Sequence, residues 1–174
     1  MKKNIFYLSI LLFFTFIFTI FYIGLDKPNF YKPEEVKNKS LEDFTSTELF
    51  SNKQFNSKDI IEKNNFTLIN IWSSWCLPCR SEHAILMTLS KKTDLNIVGL
   101  NYKDKKNNAI KFLDEMGNPF SKNLIDPDGI ISISLGAYGV PESFLLNNKS
   151  KIIKKYIGPL TSDKIPEIIK IIQR

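Results

Sequence analysis

Cys76 and Cys79 are the only cysteines in the chain, and they stand two residues apart in Trp75-Cys76-Leu77-Pro78-Cys79. Paired thiols at this spacing suit thiol–disulfide exchange. One thiolate attacks a disulfide and forms a mixed disulfide, and the second thiol resolves it. Two thiols are also half of a metal site. A structural zinc needs four ligands, however, and the chain adds a single histidine, His83. Haem attachment requires Cys-x-x-Cys-His, and Arg80 occupies the final position. A structural staple is a poor alternative, because closing so short a loop removes little entropy from the unfolded chain.

The flanking residues show how such a pair is positioned. Phe66–Trp72 is apolar and β-branched and predicts a buried strand, while Ser81–Lys91 predicts a helix with Ala84, Ile85, Leu86 and Leu89 on its apolar face. The pair therefore sits where a strand ends and a helix begins. Unpaired N–H groups and the positive end of the helix dipole favour a thiolate at Cys76. Pro78 belongs in the first helical turn, where its missing N–H costs nothing, and Arg80 adds a positive charge. Cys76 is expected to be the more exposed, attacking thiol, and Cys79 the resolving one.

Further elements follow in order. Leu95–Tyr102 reads as a second buried strand, Lys105–Met116 as an amphipathic helix ended by Gly117-Asn118-Pro119, and Phe120–Ile125 as an extended piece before the turn Asp126-Pro127-Asp128-Gly129. Ser143–Asn147 and Lys151–Tyr156 form a hairpin, and a helix starts at Thr161 or later with Pro166 in its first turn. Upstream, Phe44, Phe50 and Phe55 mark a short hairpin at the sheet edge, followed by a helical turn near Ser57–Ile61. The order implies a mixed α/β sheet with helices on both faces.

The chain has 174 residues, 43% hydrophobic and 13% aromatic, enough for one domain with a core. Its net charge of +6 comes from lysines scattered among Asp, Glu and Asn, with no basic stripe, so no nucleic-acid partner is expected. Residues Ile5–Leu25 are uncharged and long enough to cross about 30 Å of hydrocarbon as a helix. The run exceeds a signal-peptide core and lacks an A-x-A cleavage pattern, so an uncleaved anchor is expected. Lys2 and Lys3 keep its short end in the cytoplasm, and the remainder of the chain is exported. The expected organisation is a membrane anchor over 1–25, a linker over 26–40 and a folded domain over 41–174. In an exported domain disulfides form and persist, which favours redox chemistry for the pair.

The Cys-x-x-Cys at a strand–helix junction, with Val140-Pro141 just before a later strand, resembles the thioredoxin fold. The match to one membrane-anchored family is closer. Asn70-Ile71-Trp72-Ser73-Ser74-Trp75-Cys76-Leu77-Pro78-Cys79-Arg80-Ser81-Glu82-His83 is similar to the active-site segment of CcmG/DsbE proteins. So are Asn101-Tyr102-Lys103-Asp104, Gly117-Asn118-Pro119, Asp126-Pro127-Asp128-Gly129 and Gly136-Ala137-Tyr138-Gly139-Val140-Pro141-Glu142-Ser143-Phe144-Leu145. The family's usual Gly-Lys-x-x-Pro-x-Phe entry is absent, and Asn38–Phe44 stands in its place.

The resemblance implies a single-pass inner-membrane protein whose thioredoxin-like domain faces the periplasm. It implies a reductant that keeps the haem-attachment cysteines of apocytochrome c reduced, directly or through a CcmH-like thiol protein, with electrons from a DsbD/CcdA-like membrane donor. It also implies that Pro141 is cis and that Val140 and Pro141, with Trp75, dock an extended partner segment. Glu82 and Glu142 are expected near the pair, raising the thiol pKa and moving protons. No cofactor beyond the redox-active disulfide and no metal is expected. His83 is read as a helix-packing or surface residue, and Trp72 as a shield or core residue. Two other functions stay open on the residues: a general exported thiol oxidoreductase, and a membrane-tethered copper chaperone using both thiols and His83.

Overall fold

A computed structural model describes residues 2–25, 39–61 and 65–173. The chain divides into two compact units, Met1–Glu34 and Glu35–Arg174. The first unit contains helix α1, Lys2–Leu25. By length and composition α1 can cross a membrane, and at 1.5 Å per residue it extends about 36 Å. The expected linker falls largely outside the described residues.

The second unit is built on a seven-stranded sheet in the order β2-β1-β5-β4-β3-β6-β7. Its strands are β1 Thr45–Glu48, β2 Gln54–Asn56, β3 Phe66–Trp72, β4 Asn96–Tyr102, β5 Lys122–Asp126, β6 Glu142–Asn147 and β7 Ile152–Ile157. The helices are α2 Ser57–Ile61, α3 Leu77–Lys92, α4 Lys106–Met116, α5 Ile130–Ser134 and α6 Lys164–Ile172. The β3, β4 and β5 strands run parallel, and the remaining neighbours pair antiparallel. The predicted edge hairpin is β1–β2. Among the described residues, Lys39 and Leu41 also join the β6–β7 end of the sheet, since Ile152 N–H donates to Lys39 O and Leu41 N–H to Ser150 O.

The path of the chain explains the layers. From β3 through α3 to β4, and from β4 through α4 to β5, the chain steps the same way across a parallel sheet. Right-handed crossovers then put α3 and α4 on one face. There Cys79, Leu86 and Leu89 of α3, Ala109, Phe112 and Leu113 of α4 and Ile168 of α6 pack with Leu68 and Trp72. The other face packs Ile60 and Ile61 of α2 with Ile69, Ile71, Val98, Leu100 and Phe144, and Ile131 of α5 lies against them. Strand alternation assigns each side chain to a face. In β3, Leu68, Asn70 and Trp72 face α3, whereas Ile69 and Ile71 face away.

The apolar period shows the redox helix only from Ser81, but the helix begins at Leu77 with Cys76 as its cap, in agreement with Pro78 in its first turn. One sequence expectation needs correction. A short helix, α5, follows the Asp126–Gly129 turn where none was expected. Buried Asp126 caps it, accepting from Ile131 N–H at 3.2 Å, Ser132 N–H at 2.8 Å and the Ser132 hydroxyl at 2.7 Å.

Candidate redox site

Cys76 is the N-cap of α3, with extended backbone at φ −85° and ψ 108°. Its sulfur accepts from Cys79 N–H at 3.1 Å. Pro78 occupies the first turn, as expected. The two sulfurs are bonded at 2.08 Å, with Cα atoms 5.3 Å apart. The fold thus aims the Cys76 sulfur at the unpaired N–H groups of a 16-residue helix. On reduction that placement stabilises a thiolate there. Exposure does not separate the two thiols, at 3% for Cys76 and 2% for Cys79. What distinguishes them is position: Cys76 is outside the first turn, and Cys79 is within it on the buried face.

The loop before Cys76 is fixed by residues that sequence reasoning quoted without giving them a role. Asp104 accepts from Ser74 N–H at 2.6 Å and the Ser74 hydroxyl at 2.9 Å. It also accepts from Asn101 Nδ2 at 3.1 Å and Lys105 N–H at 2.7 Å. The Ser73 hydroxyl donates to Tyr102 O, and Trp75 Nε1 donates to Lys103 O at 3.1 Å. The β3–α3 and β4–α4 loops are therefore tied together, and Trp75 is held at the surface with 59% of its area exposed. A groove beside it is lined by Lys103, Asp104, Lys105, Asn108 and Pro127. Trp72 turns the other way. It is buried, stacks on Phe120 and packs at a tilt against Phe112, which makes it core rather than rim.

Glu82 is three residues past Cys79 on the same helical face, and only 1% of it is exposed. Asn70 Nδ2 donates to its Oε1 at 2.8 Å, and Leu160 N–H donates to its Oε2 at 2.7 Å. Burial outweighs both hydrogen bonds and pushes its pKa up to about 7. Asn70 also donates to the Ser143 hydroxyl at 3.0 Å, and its own Oδ1 has no hydrogen-bond partner among the described residues. An amide orientation is assigned from its partners. Rotating this amide would offer Oδ1 to a protonated Glu82, so the site can hold either form of the carboxyl.

Glu142 does not join Glu82. In the ladder it pairs with Ile71, while Ser143 pairs with Asn70. Its side chain therefore lies on the face away from α3. There its Oε1 accepts from Tyr138 N–H at 3.0 Å, and its Oε2 meets Lys155 Nζ at 2.8 Å. The expectation that both carboxylates approach the thiols fails on strand parity.

The Val140–Pro141 peptide is cis. The same register puts Pro141 at the end of β6 beside Trp72, where β3 leaves for the redox loop. Val140 packs against the cluster that contains both cysteines. Trp75, Val140 and Pro141 thus share one end of the sheet with the disulfide. His83 is buried in helix packing: its Nε2 is 2.9 Å from Gly117 O, and its ring sits edge-on to Phe112. Burial lowers its pKa. Among the described residues no group of three His, Cys, Asp or Glu side chains is placed to hold a metal ion.

Residues 36–172 match the Redoxin family model. The thiol:disulfide interchange protein CycY of Rhizobium leguminosarum bv. viciae is 47% identical over 109 residues, 63% of this chain and 59% of that protein. DsbE of Escherichia coli strain K12 is 39% identical over 67% of this chain and 63% of its own length. The chain therefore spans about three-fifths of the length of these two relatives. DsbE of Allochromatium vinosum is 33% identical over 79% of this chain and 76% of its length. A secreted Mycobacterium tuberculosis disulfide oxidoreductase homologous to E. coli DsbE shares the fold. Its TM-score is 0.64 at 18% identity, over 74% of this chain and 95% of that one. A Cys-x-x-Cys disulfide capping a helix and a cis-proline strand beside it, within this degree of similarity, make the chain a member of the Redoxin family and of its DsbE/CycY thiol:disulfide interchange proteins.

Proposed function

We propose that this thiol–disulfide oxidoreductase works as a periplasm-facing reductant of cytochrome c maturation. Residues 1–25 anchor it, 26–40 act as the linker and 41–174 form the thioredoxin-like domain. The observation that carries the direction is the buried carboxyl of Glu82 on the redox helix, behind Cys79. When ionised, it opposes a nearby thiolate and raises the thiol pKa. A less acidic dithiol is a better reductant, because a strong oxidant owes its power to a stabilised reduced form.

The steps balance as follows. The Cys76 thiolate attacks a partner disulfide, forms a mixed disulfide and releases a partner thiolate, which takes up a proton. Cys79 then gives its proton to the Glu82 carboxylate and attacks the Cys76 sulfur. The Cys76–partner bond breaks, the second partner thiol leaves reduced, and Cys76–Cys79 is oxidised. The second partner sulfur leaves as a thiolate and takes its proton from solvent, so two electrons have passed to the partner while the Cys79 proton rests on Glu82. The proton on Glu82 has an acceptor in the rotated Asn70 amide until solvent removes it. Trp75, Val140 and Pro141 hold the partner segment as an added strand.

The client is apocytochrome c or a CcmH-like thiol protein, and a DsbD/CcdA-like membrane donor restores the dithiol. A free dithiol in an oxidising compartment needs such a donor. The direction is tested by equilibrating the domain with glutathione. We expect a potential near that of thioredoxin, about −270 mV, and a value near that of DsbA, about −120 mV, would reverse the assignment.

A further inference from the structure

Lys155 carries the most deeply buried ammonium among the described ion pairs, with 8% of its side chain exposed. It lies on β7, directly across from Phe144 of β6. Its Nζ is 2.8 Å from Glu142 Oε2 and 2.7 Å from Gly136 O. The same nitrogen lies 4.1 Å from the centroid of the Tyr138 ring and 5.3 Å from that of Phe144. A carboxylate, a carbonyl and two ring faces thus surround one cation.

Stability is a weak reason for such a pair. Desolvating two charges costs several kcal/mol, and apolar residues of similar volume generally do as well. What the partners have in common is their place in the chain. Gly136, Tyr138 and Glu142 bracket the segment that ends in Val140-Pro141. Glu142 extends the grip by accepting from Tyr138 N–H at 3.0 Å. Just beyond Lys155, Gly158 N–H donates to Pro141 O at 3.0 Å. The strand that carries Lys155 therefore holds the docking segment from its far side, with the Lys155 side chain itself largely buried.

We infer that Lys155 is a positioning residue: acting through Glu142 and Gly136, it sets the shape in which Val140 and Pro141 receive a partner's extended segment. This rests on the docking reading above. It also gives Glu142 a role on the face of the sheet where the structure puts it.

The test compares two oxidants of the reduced full chain in detergent. One is an extended peptide bearing an oxidised Cys-x-x-Cys-His, which needs the docking segment. The other is 5,5′-dithiobis(2-nitrobenzoate), a small disulfide that does not. The readout is the ratio of their second-order rate constants, with saturation kinetics on the peptide. For Lys155→Met the ratio should fall roughly tenfold, with the loss in peptide KM. Lys155→Met leaves Glu142 buried and unpaired, so the double variant Lys155→Met/Glu142→Gln serves as the control for folding. It should keep the low ratio while regaining thermal stability. A double variant with the wild-type ratio would show that Lys155 only neutralises Glu142, and would overturn the inference. An unchanged ratio in both variants would overturn it equally. If the wild-type chain itself shows no saturation by the peptide, the docking reading fails first, and this inference with it.

Discussion

Glu82 and His83 are adjacent in sequence, buried on the same helix and shifted in ways that oppose each other. Burial raises the Glu82 pKa from 4.5 to about 7 and lowers that of His83 below 6.5. Glu82 therefore passes between its protonated and ionised forms near neutral pH, while burial favours the unprotonated form of His83. For Glu82, the folded state prefers the proton that the unfolded state gives up. Its contribution to stability is fully present below about pH 4.5 and is lost as pH rises to about 7, to the extent of about 3 kcal/mol. His83 works in reverse, losing stability as pH falls through 6.5. Comparing the pH dependence of unfolding in wild type and Glu82→Gln isolates the Glu82 contribution. We expect the variant to lose the decline between pH 4.5 and 7, and an identical slope would place the Glu82 pKa in its ordinary range. In exchange kinetics, Glu82→Gln should slow the release of the mixed disulfide at neutral pH by roughly a hundredfold or more, since a positioned base is usually worth about 10²–10⁴-fold. Stopped-flow measurement of the second, resolving phase checks this. The first phase, attack by Cys76, should be unchanged or faster.

At the scale of elements, α3 depends on what precedes it. Asp104 joins the β3–α3 loop to the β4–α4 loop through four donors. Asp104→Ala leaves the half-buried Ser74 N–H without its partner and should cost about 1–2 kcal/mol in a denaturant titration. It should also free Trp75, which a rise in quenching of indole fluorescence by acrylamide would report. An unchanged midpoint would mean that Ser74 finds other partners. The strand–helix alternation of this region was legible in the sequence because β3 and β4 are mostly apolar and α4 has a clear helical period. The helix start was less legible, since Leu77–Arg80 show no periodic pattern and Cys76 caps with a sulfur. The five residues of α5, Ile-Ile-Ser-Ile-Ser, are too few to show a period, and their cap, Asp126, was read only as part of a turn. Strand parity was hidden for a related reason. A strand buried on both faces gives no alternation, so nearness to Pro141 in sequence suggested nearness of Glu142 to the thiols. One sign of parity was present all the same. Asn70 and Ser143 are polar residues inside apolar strands, and they prove to be cross-strand partners on the face of α3.

For the whole molecule, the sequence separates a redox domain from a helix able to span a membrane, and the structure describes each as its own compact unit. If α1 is the anchor, deleting residues 1–25 should move the chain from the membrane to the soluble fraction after cell fractionation. Its reaction with a small disulfide should be retained, because Cys76, Cys79 and Glu82 all belong to the second unit. A truncated chain that still sediments with membranes would assign anchoring to another part of the molecule. Under the proposed function, a buried carboxyl behind the thiols and a docking segment beside them make the chain a reductant with a dedicated client. Trapping that client tests it most directly. With Cys79→Ser, attack by Cys76 proceeds but resolution cannot, so the mixed disulfide accumulates and can be identified by mass spectrometry from cells. The account predicts an adduct between Cys76 and a cysteine of an apocytochrome c Cys-x-x-Cys-His motif or of a CcmH-like thiol protein. A broad set of envelope proteins, with neither of these among them, would contradict it.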